Sequence, residues 1–432
     1  MWFRPLNPYE QYAVQNEYYQ TGYSNFLYER IYPYPRPISP YHQYYPYYPN
    51  PIYNPLNGYY RDVDWGQSSV SGMIYEDKNG NGIERRKVME ITPELIAAVE
   101  LAKWPILALP GVVGIGIGIR EENGVLFDDE LAIRVHVSDI SKVPPGIPEV
   151  VGSVVVCIIE SNFKPYEEEC CLSEVSEDIS HQKKIVGGIR IINPNATGAG
   201  TLGAVVKDSE TGELLGLSNA HVVKMVNDMI WQPDHPPLVH GGGLSQDDLI
   251  GRVERIDFPH TQPLPFSPVL VGLTDAGVFK LGPALEHKRD LSPAIIGQNA
   301  PDMLIDRITA TALPPQPLED LLNPLKPQVR KRGFRTRLTE GRIIESYMTY
   351  QWTAGPSSNM YLIEQSCIEG IRSESNPKGV FACRGDSGSV VLDINTPTAV
   401  GLLWGGSDCG TRGIMSQIRN VESQLKVNVV WQ

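Results

Sequence analysis

The first sixty residues offer no period on which a helix or a sheet could build. They hold 16 of the chain's 21 tyrosines and 10 of its 36 prolines, against six charged side chains. In the run from Tyr41 to Pro49, Tyr and Pro recur with neither the 3.6-residue nor the two-residue spacing of an amphipathic element. Proline lacks a backbone N–H and drives its neighbours toward extended, solvated backbone. Tyrosine adds a large, stiff contact area with a polar tip. Residues 1–66 therefore read as a disordered tail, either a plain linker or a tether to a larger, insoluble protein assembly.

At 432 residues the whole chain is long enough for two or three domains. A net charge of −13 argues against a general nucleic-acid binder. No apolar run reaches the roughly 18 residues of a membrane helix, so no membrane insertion is expected. Met1 to Glu10 lacks the basic-then-apolar layout of a secretory leader, which points to cytoplasmic synthesis. Six cysteines do not make a disulfide framework.

Asp77-Lys78-Asn79-Gly80-Asn81-Gly82 matches the first half of a calcium loop, but Val88 stands where the bidentate Glu belongs, so a turn is the better reading. A small α+β module is expected over 88–166. Thr92-Pro93-Glu94 has the cap, proline and acid of a helix start. Leu95, Ile96, Val99 and Ala102 give that helix an apolar face, and Pro105 should end it. Strands are expected over 112–119, 131–137 and 150–159, with Asn123-Gly124 turning between the first two. Gly114, Gly116 and Gly118 lack the Lys and helix of a phosphate loop and read as room for close packing. His136 falls at an outward position of its strand. Residues 167–184, with Glu167 to Cys171 and further acids, form an acidic linker. Asp234, His235 and His240 match no catalytic-metal spacing and read as a proline-rich loop; no metal or cofactor is called for. The basic run Arg330, Lys331, Arg332, Arg335 and Arg337 reads as a charged hairpin face.

The chemistry lies in the second half. In Arg384-Gly385-Asp386-Ser387-Gly388-Ser389, a serine sits between two glycines ahead of the strand Val390-Val391-Leu392. A serine hydroxyl needs a base to take its proton and donors for the oxyanion that develops. The tight turn lets the amides of Gly385 and Ser387 supply those donors. The base is expected at His221, at the end of a strand-like run from Leu214. A buried acid should fix the imidazole tautomer; Asp275 is the first candidate, with Asp248 and Asp257 as rivals.

Ser-Asn-Ala-His-Val, Asp-Ala-Gly-Val-Phe-Lys-Leu and Gly-Asp-Ser-Gly-Ser, in that order, resemble the trypsin-type serine proteases. The resemblance covers about 185–432. Gly200-Thr201-Leu202-Gly203 is similar to the narrow-leaf-type bacterial and plant branch. The resemblance implies a mainly β fold of two six-stranded antiparallel barrels with the triad between them, and hydrolysis of peptide or protein substrates. It implies substrate-binding positions at Phe381, Trp404 and Gly405. No acid stands at Phe381, so a basic side chain is not implied as the preferred substrate residue. The resemblance also implies a disulfide between Cys383 and Cys409. Lys184-Ile185-Val186-Gly187-Gly188 is similar to a zymogen activation junction, where a freed Ile185 amine would pair with Asp386. The tail in turn resembles segments of spore-coat proteins. This leaves a second reading, a silent protease-like module in a coat-type assembly.

Overall fold

The computed structural model describes residues 73–76, 82–85, 90–164, 178–196, 198–233, 248–264, 267–281, 289–297, 301–313, 328–351 and 360–431. The Tyr/Pro tail, most of the calcium-like loop, the cysteine pair Cys170-Cys171 and the segment Asp234 to His240 lie outside them. A short hairpin pairs β1 (Met73–Glu76) with β2 (Gly82–Arg85).

Helix α1 (Pro93–Leu107) begins as expected: the Thr92 hydroxyl accepts from the Leu95 N–H at 3.2 Å. It runs past Pro105, which sits inside its last turn. Leu95, Val99, Ala102, Ile106 and Leu107 pack it onto β3 (Val112–Glu122) and β4 (Val125–Val137). Between these strands Asn123 and Gly124 take φ of 51° and 78°, the left-handed pair that a two-residue hairpin needs. β5 (Val150–Val151) and β6 (Val154–Glu160) follow, with β6 parallel to β4.

The next region builds an eight-stranded sheet. Its strands are β8 (Ile189–Ile192), β9 (Ala199–Leu202), β10 (Ala204–Asp208), β11 (Leu214–Ser218), β12 (Met229–Trp231), β13 (Leu249–Asp257), β16 (Ala276–Lys280) and β25 (Val427–Asn428). The order is β25-β10-β11-β16-β13-β12-β8-β9. Both faces are covered, so alternate residues enter different cores. Ala204 and Val206 join Leu215, Val278 and Leu402, whereas Val205 joins Ile189, Ile230 and Phe279. Beside this sheet β7 (Lys184–Gly187) pairs with β17 (Asp290–Ile295).

A second sheet takes β14 (His260–Leu264), β15 (Ser267–Gly272), β19 (Val329–Gly333), β20 (Arg337–Gln351), β21 (Met360–Gly370), β22 (Val390–Asp393), β23 (Thr398–Gly406) and β24 (Arg412–Gln417), with β18 (Arg307–Ile308) beside β23. It does not stop there. β20 is 15 residues long and outruns β19, which pairs only as far as Gly341. The edge left open takes β3, with Glu345 opposite Gly118 and Tyr350 opposite Gly114. The sheet therefore continues through β3, β4, β6 and β5 to thirteen strands. Helix α3 (Ile418–Leu425) precedes β25.

These pairings overturn the expected two six-stranded barrels. The first sheet has eight strands, and its end strands β9 and β25 do not pair. The second has thirteen, among them the strands expected over the α+β module, and within it β19 to β24 close a ring of six through the β20–β21 pairing. The glycine alternation explains the approach: a Cβ on Gly116 would lie 2.2 Å from Glu345 Oε1. His136 is not outward-facing but 0% exposed, enclosed by Ser161, Phe163, Glu345 and Tyr350. Its Nε2 meets Glu345 at 2.9 Å and its Nδ1 meets Ser161 Oγ at 2.7 Å. Arg134 Nε reaches the same carboxylate at 2.9 Å, and Arg134 Nη2 reaches Glu121 at 2.8 Å. This Ser–His–Glu chain shares its acid with Arg134, and Phe163 and Tyr350 flank its ring. It ties strands together.

Candidate active site

His221 lies in a single helical turn, α2 (Ala220–Val223), that follows β11 directly. Asp275, 0% exposed, stands just before β16, the neighbour of β11 in the sheet. Their proximity follows from that pairing. One Asp275 oxygen, Oδ2, bonds His221 Nδ1, and the other, Oδ1, accepts the His221 backbone N–H at 3.0 Å. Asn219 Nδ2 donates to the Asp275 carbonyl at 2.7 Å. The rivals are committed elsewhere: Asp248 pairs with Arg289 at 3.0 Å, and Asp257 accepts from the Thr274 hydroxyl at 2.5 Å.

Ser387 is 3% exposed and lies in the turn before β22. Gly385 and Gly388 have φ of 103° and 94°, the region that favours glycine. At Gly388 a Cβ would also lie 2.3 Å from Ser218 Oγ and from the Thr201 carbonyl oxygen. Among the described residues, no protein acceptor takes the N–H of Gly385 or of Ser387. The Ser387 hydroxyl donates to the Trp404 carbonyl at 3.2 Å rather than to His221.

Thr201 holds this turn from the other sheet. Its N–H donates to the Ser387 carbonyl at 2.9 Å and its hydroxyl to the Gly385 carbonyl at 2.8 Å. Its motif was visible in the sequence, but not its clamp. Asp386 points the other way, into the protein. It accepts from the N–H groups of Cys383, Arg335 and Thr336 and from the Thr336 hydroxyl at 2.6 Å. Lys331 Nζ lies 3.3 Å from it, and both side chains are 0% exposed. Burial pushes the Lys331 ammonium below its ordinary pKa, with Asp386 opposing.

That pair bears on two expectations. The basic run is indeed a hairpin, β19–β20, but Lys331 and Arg332 point into the interior, at 0% and 3% exposure. The seat assigned to a freed Ile185 amine is filled by Lys331, and Ile185 itself is 0% exposed in β7, paired with Leu291. Nor is the Cys383–Cys409 disulfide formed: both are thiols, Cys383 buried and Cys409 exposed near Thr411 and Ser407. Phe381 is 0% exposed, packed among Val329, Ile343, Ile368 and Met415, and the Trp404 ring is equally interior at 1%. Gly405 lies in β23 beside a register shift between Leu403 and Gly405.

Among the described residues no group of three or more His, Cys, Asp or Glu could hold a metal ion. No described helix is long and apolar enough to cross a membrane. No family model and no curated protein matches the chain. Among solved structures it is similar to a Nocardiopsis protease, at 16% identity and TM-score 0.38 over 57% of this chain and 100% of the other. It is also similar to Thermobifida fusca protease A, at 16% identity and TM-score 0.37 over 58% and 100%. A Cellulomonas bogoriensis chymotrypsin gives 13% and 0.36 over 58% and 100%. TM-scores this low carry no argument for the fold or the activity.

Proposed function

We propose that the chain is a serine endopeptidase working through an acyl-enzyme. The observation that carries the reading is the two-point grip of Asp275 on His221. One buried carboxylate takes both Nδ1 and the backbone N–H, which orients the ring and favours the tautomer with its proton on Nδ1, the form in which Nε2 is the basic nitrogen. Ser387 Oγ attacks the peptide carbonyl and its proton passes to Nε2. The N–H groups of Gly385 and Ser387 hold the oxyanion. His221 then protonates the leaving amine as the C–N bond breaks. Water repeats the sequence on the ester, giving its proton to His221, and releases the acid product and the Ser387 hydroxyl. Peptide or protein is the substrate class; no cofactor enters.

A second reading has one observation in its favour. The Ser387 hydroxyl is turned to the Trp404 carbonyl, away from the base. A module with that geometry frozen would be silent and could serve as an interaction part of a coat-type assembly, with the Tyr/Pro tail as its tether. Catalytic hydrogen bonds are often loose before substrate arrives, so the first reading is preferred. A fluorophosphonate probe decides between them. Labelling that maps to Ser387 and disappears in Ser387→Ala supports the peptidase; absence of labelling in the intact chain and in every processed form supports the silent module.

A further inference from the structure

Gln365 lies in β21 with 0% exposure. A side-chain amide can donate two hydrogen bonds and accept two. Here all four are made. Oε1 accepts from the Trp404 indole Nε1–H at 2.8 Å and from the Ser416 hydroxyl at 2.9 Å. Nε2 donates to the Leu273 carbonyl at 3.0 Å and to the Ile363 carbonyl at 2.6 Å. The orientation is not arbitrary, because an indole nitrogen can only donate and so fixes which end of the amide faces Trp404.

These partners connect the two halves of the site. Trp404 is the residue whose carbonyl takes the Ser387 hydroxyl. Leu273 begins the three-residue stretch ending in Asp275, the carboxylate that grips His221. Burying an amide is unfavourable unless each of its groups is bonded, and a saturated network admits one geometry. An apolar residue of equal size would fill the space without setting the distance between these two backbones.

We infer that Gln365 is a positioning residue: its amide fixes the Leu273–Asp275 stretch, and through it His221, against the strand that holds Ser387. The inference rests on the serine-peptidase reading. Gln365→Met, similar in volume, should lower kcat roughly ten- to a hundredfold with KM changed less than about twofold, the scale expected when a reacting group is misplaced by about an ångström. Gln365→Glu gives the signature a merely structural role would not. When the introduced carboxyl is protonated it can donate to Leu273 and still accept from Trp404. When ionised it can only accept. Its activity relative to the parent protein should therefore recover at acid pH and fall on the alkaline side, where the parent profile does not fall.

A third readout does not depend on turnover. The downfield proton resonance of His221 Nδ1–H, assigned by its loss in His221→Ala, should shift or broaden in both variants. Parent-like kcat together with an unchanged His221 resonance, in either folded variant, would overturn the inference. A parent protein that neither labels nor cleaves would instead overturn the peptidase reading, and the resonance alone would then decide whether Gln365 sets His221.

Discussion

At the scale of single residues, the proposed site makes separable demands. Ser387→Ala should lower peptide hydrolysis by about six orders of magnitude, as loss of the nucleophile does in serine peptidases; retention of a tenth of the activity would displace Ser387 from that role. Asp275→Asn should reduce turnover about 10⁴-fold by favouring the wrong imidazole tautomer, measured as kcat on a peptide that the parent protein cleaves. Thr201→Val keeps the backbone bond to Ser387 and removes both hydroxyl bonds, the one donated to the Gly385 carbonyl and the one accepted from the Phe334 N–H. It should lower kcat by about tenfold or more while sparing KM, since it acts on the oxyanion turn. The sequence shows His221, Asp275 and Ser387 as candidates because each occupies a short local pattern. Thr201, Lys331 and Gln365 are not legible in that way. Their partners lie 184, 55 and 92 residues away, and no local period records such contacts.

At the scale of elements, the most consequential join is β3 against β20. The cap of α1, the Asn123-Gly124 turn and the close-packing glycines can all be read from neighbouring residues. Which strand those glycines admit cannot, and neither can the fate of His136: alternation identifies a face but not what covers it. The join is tested through Glu345. Removing its charge leaves Arg134, 0% exposed, with Glu121 as its remaining carboxylate partner. Breaking a buried pair of this kind typically costs about 3–5 kcal/mol. Glu345→Gln should lower the urea midpoint accordingly with m unchanged, and a loss below about 1 kcal/mol would mean that β3 is held by backbone pairing alone.

At the scale of the whole molecule, stability should depend on acid in a defined sense. Burial alone would raise the Glu345 carboxyl, but His136 and Arg134 outweigh it; for Glu121, Arg412 and Arg134 do the same. Asp208 is held well below the usual range because the Thr211 N–H, Arg255 and the Glu210 N–H overcome its burial. All three folded carboxyls thus bind protons less readily than in the unfolded chain. Their contribution is present above the ordinary carboxylate range, about pH 4, and is lost as pH falls through it. Urea midpoints should be level from pH 7 to about 5 and then drop, with a shallower drop in Glu345→Gln. A midpoint that rises on acidification would contradict the carboxylate assignment.

The last strand of the first sheet carries a consequence for synthesis. β25 pairs with β10, and the Trp431 indole donates to the Val205 carbonyl across a separation of 226 residues. At about 5–20 residues per second, β10 waits on the order of 10–45 s for the segment that completes its edge. Early in that interval the nascent chain gains His221 and then Asp275, and for most of it the chain lacks Ser387. Ribosome-stalled chains ending before α3 should accordingly be cut readily by an added protease, while chains exposed past Trp431 should resist. Translation itself thus sets the order of events, and the proposed hydrolytic centre is assembled only after the strands that follow Ser387 have been made.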